Sequence, residues 1–522
     1  MNKKLFINIT LSIVALLFMA GCNKSDIDNN PITPEEPVEQ GAKFFGGMES
    51  KSSTRTSLSA SLPYGSTVNY FWEQGDNIWL ADGSKSKTPV KAKANKALFH
   101  FEKAYTTPTL QIYYPGQNAT AYNQVTIATQ QTQTTPNSTV HIGTSGDCGT
   151  ATAYKQVDDT YYFNLTHVAS YVCLLPRSPN NLVSTYVRQI KIISDNNIAG
   201  NYTLIPAGLV GNGSSNTITL TTKAASGTYE HGFLLNNSTT SQETNAAYAV
   251  IAPGQHTLTI EYTLYDNVTQ TVGTITKNLP SRYYYANTVY PITANLNPKN
   301  YDGIGQYYMW DALQNYWAGY ESQQPTANNT SKGTYPQSKA SDPARWYNDV
   351  IFPTPASRTC INSMNVNEYI WTAMEGDPHW DDTFLWSTMG HLYKGGAWLK
   401  KIDVIAAANP GKNLQEKAPN GNNYTTYTGY WTVVSNTNIK NYRPTANLNN
   451  YYFLPAFGYY YNGVLRNVGS VGYFWSCTRV FSSENAFSID VRPNSIFVSY
   501  NNYAYYGFRI LNRNNLDVYR PI

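Results

Sequence analysis

The stretch Thr257-Leu258-Thr259-Ile260-Glu261-Tyr262-Thr263-Leu264 decides the fold class. Apolar and polar residues alternate through all eight positions. That period of two fits a strand with one face in a core and a threonine-rich face outward. Thr217-Ile218-Thr219-Leu220 repeats the pattern, and Tyr161-Tyr162-Phe163-Asn164-Leu165-Thr166-His167-Val168 follows it in part. Phe71 to Leu80, with Gly75-Asp76 near its centre, reads as a hairpin-like unit. Between 45 and 298 no window of eleven or more residues carries a strong helical stripe. The expectation is a mostly β protein, with two sandwiches in this region parted near 178–185.

Composition changes near residue 300. Nine of the eleven Trp lie beyond it, at 310, 317, 346, 371, 380, 386, 398, 431 and 475. Such a concentration of large rings predicts a separate core. The polar run Asn295 to Asn300, with Pro298, marks the boundary. Charged residues make up 13% of the chain and the net charge is +4, with no dense Lys/Arg patch. Nucleic-acid binding therefore has no electrostatic footprint here. With 44 Tyr and abundant Ser, Thr and Asn, the composition suits sheets with polar outer faces.

The N-terminus reads as a targeting segment. Two lysines within Met1 to Lys4 precede the apolar run Leu5 to Leu17, and Ala20-Gly21-Cys22 follows. The run is too short for a membrane span and fits a secretory signal peptide. Small residues before Cys22 resemble the bacterial lipobox, which implies cleavage before Cys22 and its lipidation by palmitate-like chains. Asn23 to Gln40 is acidic and proline-punctuated, which predicts a disordered tether. Its acidic start resembles the surface-export signals of Bacteroidetes lipoproteins.

Residues 45–298 resemble the fimbrillin-like proteins of Bacteroidetes, the FimA/Mfa-like subunits of type V pili. The resemblance rests on short motifs in order: Thr54-Arg55-Thr56, Trp72 with Gly75-Asp76 and Ile78, Tyr113-Tyr114-Pro115, Phe163 with Leu165 and His167, Ala207-Gly208, Tyr248 to Gln255, and Ala286-Asn287 with Val289-Tyr290. It implies two tandem transthyretin-like β-sandwiches. It also implies a maturation path: an arginine-directed protease removes the anchor and first strand, and a neighbouring subunit's strand fills the groove. Arg55, followed by Thr56, is the only arginine in the first 176 residues.

Residues 300–522 resemble the Fibrobacter-type paralogous domain, related to C-type-lectin-like folds. The carrying residues are Asn367-Glu368, Glu375 to Asp381, Gly395 to Lys401, Phe453-Leu454-Pro455-Ala456 with Gly458, Gly469 to Ser476, and Gly507-Phe508 with Ile510. The departures are Cys477, where a serine is usual, and Leu511, where a cysteine sometimes stands.

The expected organisation is therefore a lipoprotein signal peptide over 1–21, a tether over 22–44, fimbrillin-like sandwiches over 45–180 and 181–298, and an α+β lectin-like domain over 299–522. The expected role is a surface fimbrial subunit, a tip or tip-associated adhesin assembled by strand exchange. The alternative is a non-polymerising outer-membrane lipoprotein that binds glycan or host protein. Expected partners are other pilus subunits and a surface glycan or protein, with the membrane reached only through the N-terminal lipid. No cofactor is expected.

Chemistry-bearing clusters are sparse. Asp377, His379, Asp381 and Asp382 could offer oxygens to calcium, yet a capped turn fits them better. There is no G-x-S-x-G, and the seven His are scattered, so a Ser-His-Asp enzyme has no support. His167 reads as structural. Glu368 and Glu375 lack a cleft that would make them a catalytic pair. Cys148 with Cys173 and Cys360 with Cys477 are the disulfide pairings that would stay within one domain. Tyr500, Tyr503 and Tyr505 are the candidate ligand contacts, because a tyrosine offers a flat apolar face and a hydroxyl.

Overall fold

The computed structural model describes residues 41–48, 71–304, 306–429, 434–481 and 483–520. The described residues are mostly β, with 41% of them in strands and 8% helical. Among the described residues no helix is long and apolar enough to cross a membrane.

The first sheet has six strands, in the order Trp79–Leu80, Thr109–Tyr114, Gly149–Lys155, Tyr161–His167, Lys43–Met48, Lys96–His100. Lys43–Met48 is an interior strand, parallel to Tyr161–His167 and antiparallel to Lys96–His100. Phe44 is fully buried and stacks on Tyr161 at 4.7 Å. Phe45 points to the other face and meets Tyr162 at 5.4 Å. Gly46 stands opposite Phe163. A Cβ on Gly46 would lie 2.1 Å from the Phe163 ring, so only glycine leaves that ring its place. The tether expected to run to residue 44 thus gives way to a strand from Lys43, because Phe44 finds an aromatic core to enter.

Phe71 to Leu80 departs from the expected hairpin. Trp72 bridges to Ala94, and Trp79–Leu80 pairs with Thr109–Tyr114. The two arms separate because Asp76 folds the turn inward. It accepts the Glu73 amide at 2.7 Å and the Tyr114 hydroxyl at 2.7 Å.

The second sandwich sets one sheet, in the order Val272–Asn278, Leu258–Asp266, Thr185–Ser194, Thr217–Thr221, Gln130–Thr132, over a three-stranded sheet of Ala247–Ile251, Ser170–Arg177 and Thr288–Asn295. In Leu258–Asp266 the apolar Leu258, Ile260, Tyr262 and Leu264 are buried, while Thr259, Glu261 and Thr263 are half-buried. The core of this sandwich takes residues on both sides of position 180, from Tyr113 to Leu296. Thr288–Asn295 runs parallel to Ser170–Arg177 over eight paired positions.

Beyond residue 300 a distinct core gathers Trp317, Trp386 and Trp398 with many Tyr and Phe rings. Its helix Val366–Glu375 starts at a capping box, in which Asn365 accepts the Glu368 amide and Glu368 accepts the Asn365 amide. Its largest sheet runs Val434–Asn436, Ser495–Tyr503, Asn485–Arg492, Gly472–Arg479, Phe457–Tyr461, Val464–Val468.

This module is joined to the second sandwich by more than the chain. Leu385 and Leu392 belong to the sandwich core. Gly273 makes room for Leu385, since a Cβ there would fall 2.3 Å from it. Asp266, fully buried, accepts from Ser184 Oγ (2.8 Å), Thr185 Oγ1 (3.1 Å) and the amides of Val268 (3.0 Å), Thr269 (3.1 Å) and Leu392 (3.0 Å). Asn180 Nδ2 donates to Ser387 Oγ at 2.9 Å.

Candidate functional site

Cys22, Arg55 and Thr56 lie outside the described residues. What the structure places is the strand that precedes the Arg55 segment. Lys43–Met48 has a neighbour on each side, so its removal would leave the backbone edges of Tyr161–His167 and Lys96–His100 facing an empty slot. Trp72 Nε1 also donates to the Gly46 carbonyl at 3.1 Å.

The second candidate surface is aromatic. Residues 503–506 form a turn closed by the Tyr506 amide on the Tyr503 carbonyl, 2.9 Å. The turn is pinned through buried Ala504, whose amide donates to Glu484 (3.0 Å) and whose carbonyl accepts from Trp310 (2.7 Å). Tyr503 and Tyr505 then stack at 5.0 Å and 11°. Tyr505 stacks on Tyr461 at 6.4 Å and 27°. The Arg466 guanidinium sits 5.9 Å from the Tyr461 ring. Tyr506 closes the group edge-on, 5.0 Å from Tyr461. Burial and the neighbouring hydroxyls push the Tyr506 hydroxyl up to about 12.

Of the three tyrosines the sequence singles out, Tyr503 is exposed at 43%, whereas Tyr500 and Tyr505 are half-buried against the module core. Tyr461 and Tyr506 join the ladder instead of Tyr500. The signal for Tyr461 was the aromatic run at 459–461, more than forty residues away in sequence, and that for Tyr506 was its place directly after Tyr505. Beneath this end Asn502 Nδ2 donates to Ser488 Oγ at 2.8 Å, and Ser488 donates to Asp490 at 2.6 Å. Burial holds the Asp490 carboxyl up at about 6 against the help of Ser488 and Arg492.

The acidic cluster resolves into turn chemistry. Asp381 accepts from the Thr383 amide (2.9 Å), its hydroxyl (2.7 Å), the Phe384 amide (3.1 Å) and Trp398 Nε1 (3.1 Å). Asp377 pairs with Lys440 at 2.6 Å and accepts the Tyr451 hydroxyl at 2.6 Å. Burial works against its charge, but Lys440, Tyr451 and Lys400 hold it down at about 2. Among the described residues no group of three or more His, Cys, Asp or Glu is placed to hold a metal.

His167 is buried against Asp147 at 2.7 Å. Glu368 is spent on its capping box and an ion pair with Arg513 at 2.9 Å, while Glu375 is exposed. Cys148, Cys173, Cys360 and Cys477 are free thiols, and burial pushes the Cys477 thiol up to about 11. The sequence missed the meeting of Ser184, His391 and Asp266, which are scattered over more than 200 positions. Ser184 Oγ lies 2.8 Å from His391 Nδ1 and donates to Asp266. His391 Nδ1 also comes within 3.6 Å of an Asp266 carboxylate oxygen, so the three groups close on one another, and all three are buried in the junction.

No family model matches the chain, and no curated protein matches its sequence. Solved structures similar to it are cell-adhesion and fimbrial proteins. A candidate cell-adhesion protein from Bacteroides ovatus shares 12% identity, covering 50% of this chain and 93% of its own, with a TM-score of 0.29. A fimbrilin from Porphyromonas gingivalis shares 10%, covering 49% and 93%, with a TM-score of 0.24. The fimbrial anchor protein Mfa2 from the same species shares 12%, covering 46% and 82%, with a TM-score of 0.20. At these scores the likeness carries no argument about what this chain does.

Proposed function

We propose that this chain is a cell-surface fimbrial subunit, at or near a pilus tip, whose C-terminal module is the adhesive part. In this reading residues 45–298 are two transthyretin-like sandwiches and 299–522 is a lectin-like domain. The precursor is a lipoprotein anchored at Cys22 in the outer membrane, and cleavage after Arg55 frees it.

The observation that carries the reading is the interior position of Lys43–Met48, just upstream of Arg55. A cut there detaches a strand from both of its neighbours. The open slot can then accept a strand from another subunit by β-augmentation. Arg55→Ala is expected to block this maturation. Intact-mass analysis of the surface protein should give Thr56 as the first residue in wild type and an uncut, lipidated chain in the variant. The same mature N-terminus in both would overturn the proposal. A wild-type chain that keeps its lipid at Cys22 would favour the stationary lipoprotein.

Acceptance without donation supports the tip. Thr288–Asn295 leads directly into Lys299–Asn300, which pairs with Leu385–Thr388 of the C-terminal module. A strand held at both ends cannot thread into a neighbour.

The tyrosine ladder is the contact surface in this reading, suited to the faces of sugar rings or to a protein. Tyr503→Ala is expected to weaken adhesion by about 1–2 kcal/mol, the scale of a useful interface ring. The melt should barely change, because Tyr503 is exposed. Tyr505→Ala, by contrast, should lower the melting temperature as well. Cell-binding assays paired with melts of the same preparations separate the two; adhesion retained per folded Tyr503→Ala molecule would assign the ring no contact.

A further inference from the structure

The C-terminal module holds a pocket of about 330 Å³ between the two ends of its own sequence. One wall comes from Ile304 and Tyr308, at the start of the module, and the other from residues 510–519, at its end. Thr359 adds a hydroxyl from a third segment.

The walls are pinned before any ligand arrives. Tyr308 and Phe508 exchange backbone hydrogen bonds at 2.8 and 3.0 Å. Trp475 Nε1 donates to the Tyr308 carbonyl at 2.8 Å, and buried Arg509 donates to the Ile304 carbonyl at 3.2 Å. On the opposite wall the Tyr519 hydroxyl donates to the Ile510 carbonyl at 3.2 Å. Small-ligand sites are usually pre-formed and span ~300–1,000 Å³. This one sits at the lower end, which favours a single ring over a chain.

The lining has a definite chemistry. It carries no Lys, Arg, His, Asp or Glu, so a charged ligand would lose its water without gaining a counter-charge. Ile304, Ile510 and Val518 supply branched alkyl groups, and Tyr308 and Tyr519 supply rings. The polar groups are largely unspent. The Tyr308 hydroxyl and the Asn515 side-chain amide make no hydrogen bond among the described residues. Asn515 stands where the turns of Arg513–Tyr519 leave helical geometry, at φ −142° and ψ 50°. Asn512 uses only Oδ1, which accepts the Asn514 amide at 2.9 Å. Thr359 Oγ1 donates to the Ala312 carbonyl at 2.7 Å and keeps its lone pairs. A ligand can engage these groups without breaking a bond that the fold uses.

We infer that this pocket binds one uncharged pyranose that carries a methyl group, as an acetamido or a 6-deoxy substituent. The methyl packs on Ile304, Ile510 and Val518. The ring hydroxyls bond to Tyr308, Asn512 and Asn515, since a side-chain amide sets a donor beside an acceptor and so matches two neighbouring hydroxyls. The pocket shares no residue with the strand slot or the tyrosine ladder, and the inference does not rest on the fimbrial reading.

The test is a saturation-transfer NMR titration of the full chain with N-acetylglucosamine and L-fucose, beside glucose and glucuronate. At least one of the first two should saturate a single site, and which one does so assigns the methyl to the acetamido or the deoxy position. Glucose, without the methyl, should bind roughly fivefold more weakly or worse. Glucuronate should not saturate. Asn515→Ala and Tyr308→Phe each remove a group that bonds nothing in the fold, so their melts should match wild type. Each should weaken the sugar by roughly fivefold, the scale of one lost hydrogen bond. Unchanged affinity in both variants, glucose or glucuronate binding as well as the methyl-bearing sugars, or no saturation by either of those sugars up to about 50 mM would each overturn the inference.

Discussion

Asp266→Ala should destabilise the chain by about 3–5 kcal/mol, the range for stripping one member from a buried charged network. It should also split one cooperative melt into two. Alanine would leave the hydroxyls of Ser184 and Thr185 and the amides of Val268, Thr269 and Leu392 without their acceptor in a site closed to water. The Leu392 amide belongs to the C-terminal module and the others to the second sandwich, so the loss falls on the junction. Differential scanning calorimetry checks this; a variant melting as one unit at the wild-type temperature would show that the network contributes nothing. The pH dependence has a definite sign. Burial disfavours the Asp266 charge, but His391 and the amides outweigh it, so its folded pKa lies below the ordinary value. The stabilisation is then complete above the unfolded pKa of about 3.9 and is lost as pH falls through the lower folded value. Acid should therefore narrow the gap between wild type and variant.

Gly46→Val is expected to cost about 3 kcal/mol in the uncut chain, at the upper end of overpacking penalties. The new Cβ would lie 2.1 Å from the ring of Phe163, which is buried and cannot swing aside. In a chain that begins at Thr56 the same substitution is absent with its strand. Denaturant melts of the uncut and cleaved forms should therefore differ for this variant. An incoming strand must also place a small residue opposite Phe163. A Gly46→Val precursor as stable as wild type would mean that Lys43–Met48 does not occupy the slot.

How much of this was legible in the sequence depends on the length of the signal. Leu258–Asp266 and Tyr161–His167 carry long alternation, and one face of each decides its burial. Lys43–Met48 carries only Phe44 and Phe45 before two glycines, and glycine is a poor strand former. Its place comes from a partner more than a hundred residues later, Tyr161–His167, which no local pattern encodes. The tyrosine ladder was half legible: the turn at 503–506 is one segment, while Tyr461 comes from another strand. The junction was not legible. Ser184, Asp266 and His391 are ordinary polar residues until three distant segments bring them together.

The eight-residue pairing of Thr288–Asn295 with Ser170–Arg177 has a mechanical consequence. The two strands are parallel. Ser170–Arg177 follows Tyr161–His167 after a link of two residues, at the border with the first sandwich. Thr288–Asn295 ends at the border with the C-terminal module. If the first sandwich is tethered and the C-terminal module is pulled, tension enters this pair at opposite ends and acts along the strands. All the ladder bonds then bear the load together in shear, and none can be peeled open ahead of the rest. A molecule built this way should hold under drag far better than one loaded across its strands.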